Sequence, residues 1–269
     1  MRATLSVLRH RWTRRRVALA MSALPAYYVV YLCYRNLKSW VVFQQPRDDL
    51  LQKWDRWLFL GHSPAVLLHD LLGQSVAAHV LTAIYMSFST VVLVAVVAAL
   101  SFVRARLAYV FVASAIWVWI LGVGSYYLIP SLGPFSFAQQ QFAGLPHTAT
   151  QDTQARYLSQ RAHLIAQPMA PDATAQIAAF ASLHVAVICL ILLVARHYRL
   201  RRTAWALTVY LVGTALATVY LGWHYVVDVA AGLAIAVVAF SLGRLTIYPR
   251  RRTSGNGHGY AASVSKRAD

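Results

Sequence analysis

Long uninterrupted apolar runs dominate the chain, and the polar residues are gathered between them. Six runs stand out, at 17–34, 76–100, 107–129, about 180–197, 203–221 and 222–243. A helix needs about 20 apolar residues to cross the hydrocarbon core of a bilayer, and these runs approach or reach that length. Only helices or closed barrels satisfy their backbone groups in lipid, and the runs are too long and too continuously apolar for barrel strands, whose side chains alternate. The pattern therefore predicts an all-α polytopic membrane protein with six transmembrane helices.

Two polar stretches fall on the same side of that arrangement. In the first, 35–75, "WDRWLFLGHSPAVLLHDLLG" mixes tryptophans, charges and short apolar runs, which predicts a helix lying in the membrane interface before the second span. The second, 130–176, is rich in Gln, Pro and Thr. A loop of that length is more often functional or partly disordered than an idle connector, and this one is placed to cap a pocket. The expected organisation is a basic cytoplasmic segment at 1–16, a six-helix membrane domain at 17–243 and a polar, disordered basic tail at 244–269.

Composition supports the membrane reading, since 59% of the 269 residues are hydrophobic and only 12% are charged. The net charge of +17 raises the question of nucleic acid, but its distribution answers otherwise. With the N-terminus inside, the inner segments hold 18 of the 25 basic residues and one of the eight acidic ones, and the outer segments are balanced. The excess of inner arginines fixes both termini in the cytoplasm. The basic clusters are then orientation signals and contacts for anionic lipid heads, with no nucleic acid partner expected. The start, "RHRWTRRRVALA", resembles a signal peptide, but its apolar run continues through Tyr34 without a cleavage site and reads as a retained anchor. A bacterial plasma membrane is the expected setting. Cys33 and Cys189 both fall inside expected spans, where packing is their default role. No internal repeat suggests a transporter built from two halves.

Against this apolar background two short stretches carry chemistry. In "LGWHYVVDVAAG", His224 and Asp228 are four residues apart and share a helix face, close enough for a hydrogen bond. Forty residues earlier, "AFASLHVAV" carries Ser182 and His184 at the outer start of the fourth span. The chain crosses inward after His184 and returns before His224, which brings both histidines to one face of the membrane. A lone histidine in a span is often a hydrogen-bonded packing residue. Three ionisable groups at one depth favour function, because burying them in a membrane is costly. A carboxylate can orient one imidazole as a nucleophile while the other moves protons to and from oxygen. Two competing readings use the same residues: a proton-coupled transporter or lipid flippase in which His224 and Asp228 form a relay, and a serine hydrolase using Ser182 with His224.

"ASLH" followed by "GWHYVVDVAAG", with "YYLIPSLGP" before them, resembles the type 2 phosphatidic acid phosphatase superfamily, and within it the inositolphosphotransferase-like (aureobasidin-resistance type) branch. The resemblance covers about 55–243. It implies a six-helix membrane fold, no metal or other cofactor, and transfer of a phosphoryl or phospho-alcohol group of a lipid phosphate through a phosphohistidine at the outer leaflet. It also implies His224 as nucleophile, Asp228 as its orienting partner, His184 as general acid and base, and Ser182 as a phosphate ligand. The fourth helix's N-terminus near Ala181 and Ser182 would add backbone N–H groups to that phosphate site. Three departures matter: Ala181 stands where the superfamily usually has proline, Thr218 where its commoner members have arginine, and a Lys/Arg motif near the third span is absent.

Phosphoryl transfer still requires positive charge around the transferring oxygens. Arg35 and Lys38 after the first span, and Arg156 and Arg161 in the long loop, are the available cations. Each has a plain surface charge as its alternative. Tyr127, Pro130 and Gly133 of "YYLIPSLGP" are expected to shape the pocket wall, with a span-ending turn as the competing reading. The remaining histidines have no spacing suited to zinc, and the chain contains no glutamate; its scattered aspartates form no cage for a divalent cation.

Overall fold

The computed structural model describes residues 14–102 and 105–248. The stretches 1–13 and 249–269, including Arg2, Arg9, Arg11 and most of the tail expected to be disordered, lie outside the described residues, as does Arg104; the first residues of that expected tail, 244–247, are instead the end of the last helix. Every regular element among the described residues is helical. Five helical stretches are long and apolar enough to cross a membrane, and a shorter apolar helix lies among them.

The first long helix, α1 (Arg14–Trp40), runs a turn and a half beyond the expected span and closes in a 3-10 turn at Val41–Phe43. Pro25 sits inside it, tolerated because neighbouring helices in a membrane re-satisfy freed backbone groups. The expected interfacial helix is two helices, α2 (Asp48–Leu58) and α3 (Pro64–Leu72). The second span divides into α4 (Val76–Met86) and α5 (Phe88–Phe102) at Ser87. There the serine hydroxyl donates to the Ile84 carbonyl at 2.7 Å and pairs with the Tyr210 hydroxyl at 2.8 Å, and such back-bonding bends apolar helices. Next come α6 (Ala105–Leu128) and the long polar segment, which is structured: a short α7 (Pro134–Phe137), a 3-10 turn, and α8 (Ala149–Ala166). Thr148 and Gln151 start α8 with a reciprocal capping box, which satisfies donors that would otherwise be orphaned.

The last three helices are α9 (Leu183–His197), α10 (Arg201–Tyr220) and α11 (Val226–Ile247). At 15 residues α9 is shorter than the fourth span was expected to be. Its residues from Val185 to Leu192 are buried in protein almost without exception, so this central helix need not present a full bilayer thickness to lipid. It packs against α10 and α11, α11 packs along α6, and α6 packs along α1. By contrast α5 touches α1, α6 and α9 only sparsely. Large apolar side chains on the outer faces, such as Met21, Leu93, Val94, Trp205 and Val209, are exposed, as expected of surfaces that face lipid.

Gly232 is the close-approach point of the bundle. A Cβ there would collide with the Ser182 carbonyl oxygen, so glycine lets the α11 backbone touch the start of α9. That contact holds the two histidine-bearing segments together.

Candidate active site

The end of α1, the end of α6, the start of α9 and the turn before α11 meet at one end of the bundle, with α8 across them. Between them lies a cavity of about 340 Å3 whose lining includes Lys38, Tyr126, Arg156, His184, Trp223 and His224. Both histidines expected to share a membrane face are therefore in one pocket, their ring centroids 6.1 Å apart. The His184 ring is held between Tyr85 and Phe88, at 4.6 and 4.4 Å between centroids. Trp223 stacks on Tyr85 at 5.3 Å. These aromatic contacts fix ring orientation and exclude water from the flanks of the imidazole.

His224 stands in the turn between α10 and α11, and the sequence builds that turn from its exposed backbone groups. The Thr218 carbonyl accepts from the N–H groups of Trp223 (2.9 Å) and His224 (3.1 Å). The next orphan carbonyls each find a donor from elsewhere: Tyr220 from the His69 ring (2.8 Å), Leu221 from the Gln154 amide (2.8 Å), and Gly222 from the Phe135 N–H (2.9 Å). A helix end without such partners would be unstable in a dry site. Gly222, at φ +76°, and Gly133, at φ +103°, occupy the left-handed region that favours glycine. A Cβ on Gly133 would come within 2.6 Å of the Trp223 carbonyl oxygen, so the start of α7 presses directly on the histidine turn.

The start of α11 is gripped by three buried carboxylates. Asp228 Oδ2 accepts from the Tyr225 N–H at 3.0 Å and lies 3.4 Å from His224 Nδ1, while Oδ1 has no partner among the described residues. Asp55 accepts from the N–H groups of Val226 (2.8 Å) and Val227 (3.1 Å). Asp48 accepts from the N–H groups of Leu132 and Gly133, at 3.0 and 2.8 Å, and from the Tyr225 hydroxyl at 3.2 Å. The negative charge suits a helix N-terminus. Asp48 and Asp55 were not singled out in the sequence, where α2 read as an interfacial helix. A signal was present: Asp48, Leu51 and Asp55 follow an i, i+3, i+7 spacing that gives one face, and all three are buried while Trp54 and Trp57 face out.

The other expected residues are placed differently. Ser182 is fully buried and does not line the cavity. Its Oγ accepts from the Val185 N–H at 3.5 Å, and its own N–H donates to the Asp228 carbonyl at 3.0 Å. The Ala181 N–H donates to Ser125 Oγ at 3.0 Å, so these two N–H groups at the helix start are engaged within the protein. Arg35 is exposed and outside the cavity lining. Tyr127 and Pro130 also lie outside that lining: the tyrosine hydroxyl donates to the Leu37 carbonyl at 2.8 Å, and the Pro130 carbonyl accepts from the Arg47 N–H at 2.7 Å. Gly133 is outside the lining as well, and the neighbours Tyr126 and Leu132 face the cavity instead. Lys38 does reach it, with its ammonium 5.3 Å from the centre of the Tyr126 ring. Opposite, Arg156 on α8 lies over Tyr157 at 5.6 Å, whereas Arg161 does not line the cavity. The cavity lining thus brings together two histidines and two cations, with a carboxylate beside one histidine.

Burial pushes the Asp55 carboxyl up to about 6, with its two backbone hydrogen bonds offsetting only part of that cost. A carboxyl raised in the folded state contributes stability that is present below its ordinary value of 3.8 and lost as pH rises through about 6. In purified protein, the melting temperature of the wild type relative to Asp55→Asn is expected to fall across that window. A difference that stays flat with pH would show that Asp55 is not desolvated in this way.

Residues 49–242 match the family model described as the PAP2 superfamily, a stretch that begins in α2 and ends in α11. No curated protein and no solved structure matches the chain.

Proposed function

Because the chain belongs to the PAP2 superfamily, we propose that it is a membrane-embedded phosphatase or phosphotransferase acting on lipid phosphates through a phosphohistidine. Membership supports phosphoryl transfer in general. The observation that carries the finer reading is the meeting of His184, His224, Lys38 and Arg156 in one cavity, with Asp228 beside His224 Nδ1.

In this mechanism His224 uses Nε2, the ring nitrogen turned away from Asp228, to attack phosphorus. The P–N bond forms as the P–O bond to the lipid breaks, and the electron pair leaves on that oxygen. His184 donates a proton to it. Asp228 stabilises the imidazolium as its charge develops. In the second step a hydroxyl of water or an alcohol gives its proton to His184, its oxygen bonds to phosphorus, and the P–N bond breaks to release neutral His224. Lys38 and Arg156 neutralise the phosphoryl oxygens throughout. Water as acceptor makes the enzyme a phosphatase, and a sugar or inositol hydroxyl makes it a transferase of the inositolphosphotransferase-like kind. The positive-inside pattern supports cytoplasmic termini and a site at the outer leaflet.

The test is a panel of radiolabelled lipid phosphates incubated with folded protein in nanodiscs. An acid-labile, base-stable label on His224 is the expected result. Absence of label with every lipid, together with substrate movement in sealed vesicles, would support the transporter reading instead.

A further inference from the structure

His224 stands in a turn between two helices, so no helical ladder of its own fixes it. On one side, the N–H groups of Trp223 and His224 return to the Thr218 carbonyl near the end of α10. On the other, the chain from Tyr225 to Val227 is tied to two carboxylates of a single helix, α2. Asp55 holds the N–H groups of Val226 and Val227, at 2.8 and 3.1 Å, and Asp48 holds the Tyr225 hydroxyl at 3.2 Å. The same Asp48 accepts from the N–H groups of Leu132 and Gly133, and Gly133 packs against the Trp223 carbonyl. Asp48 and Asp55 lie about 10 Å apart along α2 at the rise of an α-helix, so one rigid element meets the histidine turn at two points. Val226 and Val227 are also among the residues that separate His224 from Asp228.

We propose that Asp55, braced by Asp48, is a positioning residue for phosphoryl transfer: it fixes the backbone between His224 and Asp228 and thereby the line along which the imidazole attacks. The proposal rests on the reading of His224 as nucleophile and adds a residue to that mechanism. Asp55 shares a narrow void of about 10 Å3 with His224 and Tyr225, which places it beside the nucleophile. Neither it nor Asp48 lines the larger cavity that holds the two histidines and two cations. Both Asp55 oxygens are taken by backbone donors, so neither is left to move a proton. A carboxylate at a helix N-terminus holds its donors more firmly than a neutral acceptor does. An amide in its place has one acceptor oxygen, and its NH2 group would face a backbone N–H. Stability alone does not explain the carboxylate. Burial raises it to about 6, so at neutral pH the ionised group costs stability instead of contributing it.

The test compares Asp55→Asn, Leu51→Ala and Tyr225→Phe in nanodiscs with para-nitrophenyl phosphate as substrate. Leu51 is fully buried on the same face of α2, so its truncation lowers melting temperature without removing a bond to the turn. A displacement of about 1 Å at a reacting group costs about a hundredfold in rate. At neutral pH, Asp55→Asn is expected to lower kcat by about that factor with KM within about threefold of wild type, while Leu51→Ala keeps kcat within about threefold. Tyr225→Phe, which cuts only the tie to Asp48, is expected to lower kcat about fivefold, the scale of one hydrogen bond. Folded Asp55→Asn with the wild-type kcat overturns the proposal, as does an equal loss of kcat in Leu51→Ala. Should Asp55→Asn not fold, an unchanged kcat in Tyr225→Phe overturns it. A second readout needs no turnover: the ring-nitrogen resonances of His224 in protein carrying isotope-labelled histidine, identified by their loss in His224→Ala. One sharp set is expected in the wild type and Leu51→Ala, and a broadened or doubled set in Asp55→Asn. With that pattern but no turnover of any phosphate ester by the wild type, the positioning of the histidine turn stands and the phosphoryl-transfer reading fails. With wild-type turnover, and with kcat and resonances unchanged in Asp55→Asn, the reverse holds.

Discussion

His224→Ala is expected to lower turnover of any lipid phosphate by at least about a thousandfold, and His184→Ala by a similar factor, but the two variants should fail in different ways. Without His224 there is no nucleophile, and no phosphorylated protein forms. Without His184 the attack can still occur on a substrate whose leaving group needs no proton, such as a para-nitrophenyl phosphate ester, and the adduct then accumulates because nothing deprotonates the acceptor. The readouts are acid-labile label by gel and release of para-nitrophenol in a single turnover. An initial burst is expected from His184→Ala, and none from His224→Ala. The bland alternative treats both histidines as packing residues, and His184 between Tyr85 and Phe88 would suit that role. It predicts loss of melting temperature in both variants with parallel loss of every activity. A burst in His224→Ala would falsify the assignment of the nucleophile. Asp228→Asn supplies a third comparison. It keeps an acceptor for the Tyr225 N–H but removes the charge facing the imidazolium, so adduct formation should slow more than substrate binding weakens.

The spans were legible in the sequence because their signal is additive: each apolar residue adds to the same membrane preference, and no partner need be known. The histidine pairing was legible for a related reason. Two crossings return the chain to its starting face, so His184 and His224 had to share a depth, and the structure brings their rings to 6.1 Å. Two kinds of feature were not legible. Helix starts shifted where backbone groups are satisfied by distant residues: α11 begins at Val226, not Gly222, and the carbonyls of 220–222 and the N–H groups of 226 and 227 are held by His69, Gln154, Phe135 and Asp55, none of them local. Side-chain direction was also hidden. Ser182 sits near His184 in sequence but faces into the packed start of α9, where its hydroxyl is the helix cap. Arg35 and Lys38 are three residues apart on α1, yet only Lys38 lines the cavity. A helix seen only as a hydrophobic run has no defined rotation, and rotation decides which cation faces inward.

That difference between neighbouring cations leads to the other large expected effect. In this chain Thr218 stands where commoner members of the superfamily have arginine, and its carbonyl organises the histidine turn, so charge for the phosphoryl group must come from elsewhere. Lys38 and Arg156 both line the cavity, on α1 and α8. Among the described residues, no carboxylate pairs with Lys38 within 4.0 Å, which leaves its charge for a ligand. In a water-poor site a preorganised cation acts on charge that develops in the transition state, and losing one such group costs about a hundredfold to a thousandfold in rate. Lys38→Ala is therefore expected to lower kcat/KM within that range. Arg156, more exposed on α8, should matter less, because solvent screens its charge. Arg35→Ala and Arg161→Ala should remain within about threefold of wild type, because neither side chain lines the cavity. Inhibition by orthovanadate, which mimics the five-coordinate phosphorus of the transition state, should weaken in Lys38→Ala in proportion to the loss of kcat/KM, because both report binding to the same charge distribution. A role in packing alone would lower melting temperature without moving the two quantities together. Equal losses from Arg35→Ala and Lys38→Ala would point to a diffuse basic surface, and the cavity between α1 and α8 would then not be where phosphate binds.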